Sequence, residues 1–193
     1  MITTEQIKDL RDQTGVSIMQ CKKALEEAKG DIAKAIVILE KKSGESSLKR
    51  KDKNFNAGTV QSYIHATGNI GTMVILSCET DFVSGNNEFK SLARDIAMHI
   101  TATNPRFMNK DDITEDARTN AREVFQNEVK DKPKDMQEKI LEGKLATYFS
   151  EMVLLDQPFI KDPSITIQGL IDKAVQKFGE KIALTKFSRF QSS

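Results

Sequence analysis

Side chains able to do chemistry are sparse and scattered in this chain. The histidines are His65 and His99 and the cysteines Cys21 and Cys78, without the short ligand spacings that mark a zinc site. There is no nucleophile elbow, no phosphate-cradling glycine loop and no paired-carboxylate motif that survives inspection. Gly68-Asn69-Ile70-Gly71 is too short and too hairpin-like to hold a nucleotide. An enzyme reading therefore has no constellation behind it, and neither a metal nor a cofactor is expected. What remains is a stretch suited to recognition, Cys78-Glu79-Thr80-Asp81-Phe82-Val83-Ser84-Gly85-Asn86-Asn87. It leaves the apolar run from Thr72 to Ser77, turns an acidic and aromatic corner, and reaches two asparagines fit for a turn or a helix N-cap. Phe82 has two readings: a lid folded back on the core, or an aromatic wedge presented, beside an acid, to a partner.

The elements that must position this corner are well punctuated. In residues 1–45, Thr3/Gln6 and Ser17/Gln20 have capping-box spacing and Asp31 suits a third N-cap, while Gly15, Gly30 and Gly44 fall where helices end. Apolar residues recur every three or four positions: Ile7 and Leu10; Ile18, Cys21, Leu25 and Ala28; Ile32, Ala35, Ile36 and Leu39. This predicts a three-helix module. From Ser43 the pattern disappears, and residues 46–56, with Lys49-Arg50-Lys51 and Lys53, read as a solvated basic linker without the aromatic interleaving of a nucleic-acid site.

Residues 57–193 read as a larger α+β core. Ala57–His65 and Ile70–Cys78 form a predicted hairpin around Thr67-Gly68-Asn69. Met73-Val74-Ile75-Leu76 lacks alternation, so this strand is expected to be covered on both faces. Helices are expected around Phe89–Ile100, after Thr114, after the Asp131-Lys132-Pro133 break, and from Thr166 to Gly179. Lys181–Phe190 reads as a strand able to pair with the hairpin. The expected architecture is α+β, a two-layer domain of antiparallel sheet and helices behind the helical module.

Bulk numbers agree with a folded, water-soluble chain. Over 193 residues, 29 Lys+Arg face 28 Asp+Glu, so no global field points to nucleic acid or an acidic membrane. No apolar run approaches the roughly 20 residues of a membrane helix, and the first residues lack the basic and apolar regions of a signal peptide. Two cysteines in apolar-periodic segments read as reduced core thiols. A cytoplasmic setting is expected.

Several stretches together resemble the bacterial elongation factor Ts family. Leu10-Arg11, Thr14-Gly15, Met19-Gln20-Cys21-Lys22-Lys23-Ala24-Leu25 and Gly30-Asp31 are similar to its N-terminal signature, and Thr80-Asp81-Phe82-Val83 to its more specific second one. Ile96-Ala97-Met98-His99-Ile100, Lys132-Pro133, Glu142-Gly143 and Gln157-Pro158-Phe159 echo its core. The match runs in order along nearly the whole chain. The resemblance implies an exchange factor that frees GDP from the translational GTPase elongation factor Tu, with an N-terminal module similar to ubiquitin-associated domains. It implies that the Thr80–Val83 loop reaches the GTPase's magnesium and switch region, with Phe82 as wedge, Asp81 as polar neighbour, and Thr80 and Val83 shaping the loop. Thr14, Met19 and Lys22 are implied contacts of the N-terminal module. The direct passage from Phe82 to the helix around Met98 resembles the short form of the family, whose members pair. With no cysteine in Arg189-Phe190-Gln191-Ser192-Ser193, a non-covalent homodimer is expected. The competing classes are a module for ubiquitin-like partners on an unrelated scaffold and an RNA-binding protein using Lys49–Lys53.

Overall fold

Local chemistry sets the first helices. Thr3 caps α1 (Thr4–Thr14) in a full capping box with Gln6, and Gly15 closes it at φ 67°, donating its N–H to the Arg11 carbonyl. Ser17 caps α2 (Ile18–Glu27) through the Gln20 N–H, and Asp31 caps α3 (Ile32–Lys49) through that of Lys34. Leu10, Cys21, Leu25, Ala35 and Leu39 are buried together where these helices meet. The structure is a computed structural model and describes residues 2–131 and 133–192, leaving aside the side chains of Lys134 and Asp135. Lys132, from the expected break and the Lys132-Pro133 echo, lies outside the described residues.

Two of the expectations for this region fail. Helix α3 does not stop at Gly44 but runs on to Lys49. Around Gly44 the helix lies beside α8 (Ile167–Phe178): a Cβ on Gly44 would stand 3.9 Å from the Asp172 carboxylate, and one turn earlier Glu40 pairs with Lys173 at 3.1 Å. A mid-helix glycine costs only about 1 kcal/mol, little enough for the helix to run through it. The segment after it is tied down too. Arg50 meets Glu79 at 3.2 Å, and the Lys181 ammonium donates to the carbonyls of Lys51 and Lys53 and sits 4.5 Å from the Phe55 ring centroid.

Strands β1 (Ala57–Ile64) and β2 (Ile70–Cys78) pair antiparallel, Val60 opposite Ile75 and Ser62 opposite Met73. Gly58 lies so close to β2 that a Cβ would stand 2.8 Å from the Leu76 carbonyl. The C-terminal strand β5 (Ala183–Gln191) joins the other side of β2, giving the order β1-β2-β5. Thr59, Thr72, Val74, Leu76 and Leu184 are buried, whereas Val60, Ile64, Met73 and Phe190 are exposed. Strand β2 is therefore covered on one face only. Its apolar run hid an ordinary inside-outside alternation, because Met73 and Ile75 belong to an apolar but open face.

Between β2 and the rest lie the short helix α4 (Asp81–Gly85) and α5 (Asn87–Thr103). Phe89, Ala93, Ile96, Ala97 and Ile100 on α5 are buried at helical spacing. Two compact units result, Met1–Met98 with Gly169–Ser193, and His99–Gln168.

In the second unit α6 (Glu115–Glu128), capped by Thr114, meets α7 (Lys134–Met152). Pro133 stands at the N-cap of α7. Ile113, Ala121, Phe149 and Val153 form the core of this unit. Phe125, Tyr148 and Phe149 stack edge-on at 5.2–5.3 Å. Val124 of α6 is exposed. The pair β3 (Pro158–Phe159) and β4 (Asp162–Thr166) leads into α8, which Gly179 closes at φ 71°. Helical module, antiparallel sheet and further helices make this a mixed α+β protein.

Candidate functional site: the Phe82 turn

Where β2 ends, the chain coils once instead of looping. Thr80 is the N-cap of α4, its hydroxyl accepting the Val83 N–H at 3.4 Å, and Asp81 puts a carboxylate in the first turn, where helix N-termini favour negative charge. The Ser84 N–H donates to the Thr80 carbonyl and Asn86 receives the Glu88 N–H, linking α4 to α5. On this turn Val83 is 2% exposed and Phe82 83% exposed. Phe82 is thus no lid on the core. The buried neighbour anchors the turn, and the aromatic ring projects from it beside the exposed Asp81.

The base of the turn is held from the far end of the chain. One Glu180 carboxylate oxygen accepts the N–H groups of Glu79 and Thr80 at 3.1 and 3.0 Å, and the other accepts the Thr80 hydroxyl at 2.6 Å. Glu79 answers by accepting the Lys181 N–H at 2.6 Å and the Arg50 guanidinium at 3.2 Å. Those two donors, the Lys181 N–H first, hold the Glu79 carboxyl below its ordinary range. Cys78, buried just before the turn, donates its thiol to the Thr80 carbonyl at 3.2 Å. Burial, with Glu180 and Glu79 nearby, pushes that thiol up and keeps it protonated. Glu180 carried no signal in sequence, being about a hundred positions from Glu79 and Thr80.

Thr80, Asp81, Phe82 and Val83 therefore share one turn, whereas Thr14, Met19 and Lys22 belong to α1 and α2. Met19 and Lys22, three residues apart, are both exposed on α2. Ile18, expected inside, is exposed beside Met19, and Ala24 is buried in the bundle instead. Thr14 turns its hydroxyl inward onto the Leu10 carbonyl at 2.7 Å. Among the described residues no cluster of His, Cys, Asp and Glu suits a metal ion, and no helix is long and apolar enough to cross a membrane. Both cysteines are free and buried.

Comparison with known proteins matches residues 3–193 to the family described as Elongation factor TS. Elongation factor Ts of Thermodesulfovibrio yellowstonii is 47% identical over 191 residues, covering 98% of this chain and 96% of the relative. That of Koribacter versatilis is 45% identical over 98% of this chain and 88% of its own length, and that of Carboxydothermus hydrogenoformans 43% over 99% and 89%. A match of this extent, over a chain that sets an exposed aromatic on an anchored turn after its second strand, leaves one assignment: the chain belongs to the elongation factor Ts family.

Proposed function

We propose that this protein is a guanine-nucleotide exchange factor of translation elongation, acting on elongation factor Tu. Phe82 is the wedge by which it loosens GDP, through the magnesium and switch-region contacts of the GTPase. Asp81 is the wedge's polar neighbour, and Thr80 and Val83 shape the turn. The observation that carries the reading is the ring of Phe82, almost wholly exposed on a turn fixed at its base by Val83 and Glu180. The helical module of residues 1–45 supplies a second grip on the nucleotide domain through Met19 and Lys22, with Thr14 setting the corner between α1 and α2. Residues 46–56, the last turn of α3 and the segment tied to Glu79 and Lys181, connect it to the core of residues 57–193.

Such a role requires no covalent chemistry. A factor that binds the nucleotide-free GTPase more tightly than the loaded one weakens nucleotide binding by the same ratio. Burying a phenylalanine contributes about 1.5–3 kcal/mol, and each ~1.4 kcal/mol is about tenfold. One wedge thus accounts for one to two decades, and the second grip together with magnesium loss adds the remainder. Phe82→Ala is expected to slow stimulated release of a fluorescent GDP analogue by roughly 10- to 100-fold while melting like the wild type. A folded Phe82→Ala protein with unaltered release kinetics rejects the wedge.

We also infer that two copies pair without a covalent bond. Supporting this is the open face of the sheet, where Val60, Ile64, Met73 and Phe190 put apolar side chains into solvent, an arrangement that marks interaction surfaces.

A further inference from the structure

We propose that Glu180 is the positioning residue of the Phe82 turn, an inference that rests on the reading of Phe82 as the wedge. The ladder between β2 and β5 ends at Ser77 opposite Ala183, so no rung of the sheet fixes the backbone of Glu79 and Thr80. Glu180 takes over at that point. Its carboxylate receives both orphaned N–H groups and the Thr80 hydroxyl, all bonds to an acceptor bearing charge and therefore strong ones. The hydroxyl bond matters most for aim. By donating to Glu180, the Thr80 hydroxyl keeps its lone pairs toward the Val83 N–H, the cap on which α4 starts. A helix of five residues is too short to hold itself, so its direction comes from the cap and from the buried Val83.

The clasp is reciprocal. Glu79 receives the Lys181 N–H while Glu180 receives the Glu79 N–H, bracing the exit of β2 against the approach to β5. Gly179 makes the placement possible: its left-handed backbone ends α8 and sends the next residue toward the turn. An aromatic held in its binding direction beforehand avoids the ordering cost that a mobile one meets on contact. Glu180 thus acts through Phe82 without touching the partner.

The test is release of fluorescent GDP from elongation factor Tu, using the full chain and four variants. Glu180→Ala is expected to slow stimulated release at least about fivefold. Glu180→Gln, whose amide oxygen still accepts the two N–H groups but whose NH2 cannot accept the Thr80 hydroxyl, is expected to fall between Glu180→Ala and the wild type. In a Phe82→Ala background Glu180→Ala has no further effect. Amide hydrogen exchange at Thr80 should quicken in Glu180→Ala and not in Glu180→Gln. Wild-type release by Glu180→Ala, equal losses in the Ala and Gln variants, or full additivity with Phe82→Ala each overturn the positioning role. Should Glu180→Ala fail to fold, Glu180→Asp, one methylene too short to span the same donors, takes its place: impaired release at an unchanged melting temperature supports the role, and wild-type release overturns it. Wild-type release by Phe82→Ala alone overturns the wedge itself, so the two failures are distinct.

Discussion

On a helical turn adjacent side chains diverge by about 100°, and α4 uses that angle to set a buried side chain next to an exposed one. Val83 is held in the core and Phe82 in water, so the two residues should separate stability from activity. Val83→Ala removes buried methyl groups and leaves a cavity, which is expected to cost about 2 kcal/mol of folding free energy. Phe82→Ala should change stability by no more than about 0.5 kcal/mol, as exposed positions do. Urea unfolding of both variants checks this. A Phe82→Ala protein destabilised as much as Val83→Ala would mean that the ring packs on the protein instead of standing clear of it.

At the scale of elements, the last turn of α5 is fastened to the segment after α7 by a buried polar knot. His99 is fully buried, with Nε2 2.8 Å from the Gln157 side-chain oxygen and Nδ1 accepting the Ile160 N–H at 3.3 Å. The Thr103 hydroxyl meets the same Gln157 oxygen at 2.9 Å, and the Gln157 amide donates to the Glu151 carbonyl. Nδ1 accepts, so the ring is neutral with its proton on Nε2. Burial pulls its pKa below the ordinary value, against the weaker pull of Gln157. The unfolded chain then binds the extra proton first, so this stability is complete above about pH 6.5 and is lost as pH falls through the lowered folded value. Thermal unfolding between pH 7.5 and 5.5 should show a falling melting temperature in the wild type. His99→Gln should start lower and vary less, and parallel profiles would remove His99 as the cause.

The same elements show how much was legible in the sequence. Caps and stops were readable wherever one residue's own chemistry decides them: Thr3 with Gln6, Asp31, Gly15, the Thr67-Gly68-Asn69 turn, Thr114 and Gly179. Gln157-Pro158-Phe159 was visible as a pattern, but its reason, a side chain bridging His99, Thr103 and Glu151, was not. Gly44 is an ordinary stop signal that costs α3 too little to end it. The other misses share one cause, contact over long separations. Met73 is an apolar residue whose strand has one open face. Phe82 could be placed neither in nor out by composition. Glu180 was silent because its role depends on a strand pairing that ends just before Thr80.

For the whole molecule, the open face of the sheet is the feature on which the inferred pairing rests. Its apolar residues come from all three strands and are brought together by register: Val60 opposite Ile75, Ile64 opposite Gly71, and Gly71 opposite Phe190, with Met73 between Ser62 and Ser188. No requirement of the single chain accounts for leaving Val60, Ile64, Met73 and Phe190 exposed together, since surface positions of a lone sheet are ordinarily polar. Lys186, opposite Ile75, keeps one charge on the face, which favours a specific register over open-ended stacking. The inferred pairing predicts a dimer in sedimentation at micromolar concentration. Met73→Glu would introduce a charge in the middle of the face; it should yield a folded monomer, since the side chain it replaces is already in solvent. If pairing serves to present two Phe82 turns or to complete the surface offered to the GTPase, that monomer should release GDP more slowly than the wild type at equal chain concentration. A wild type that sediments only as a monomer and yet exchanges nucleotide at full rate removes the pairing and leaves the Phe82 turn to act alone.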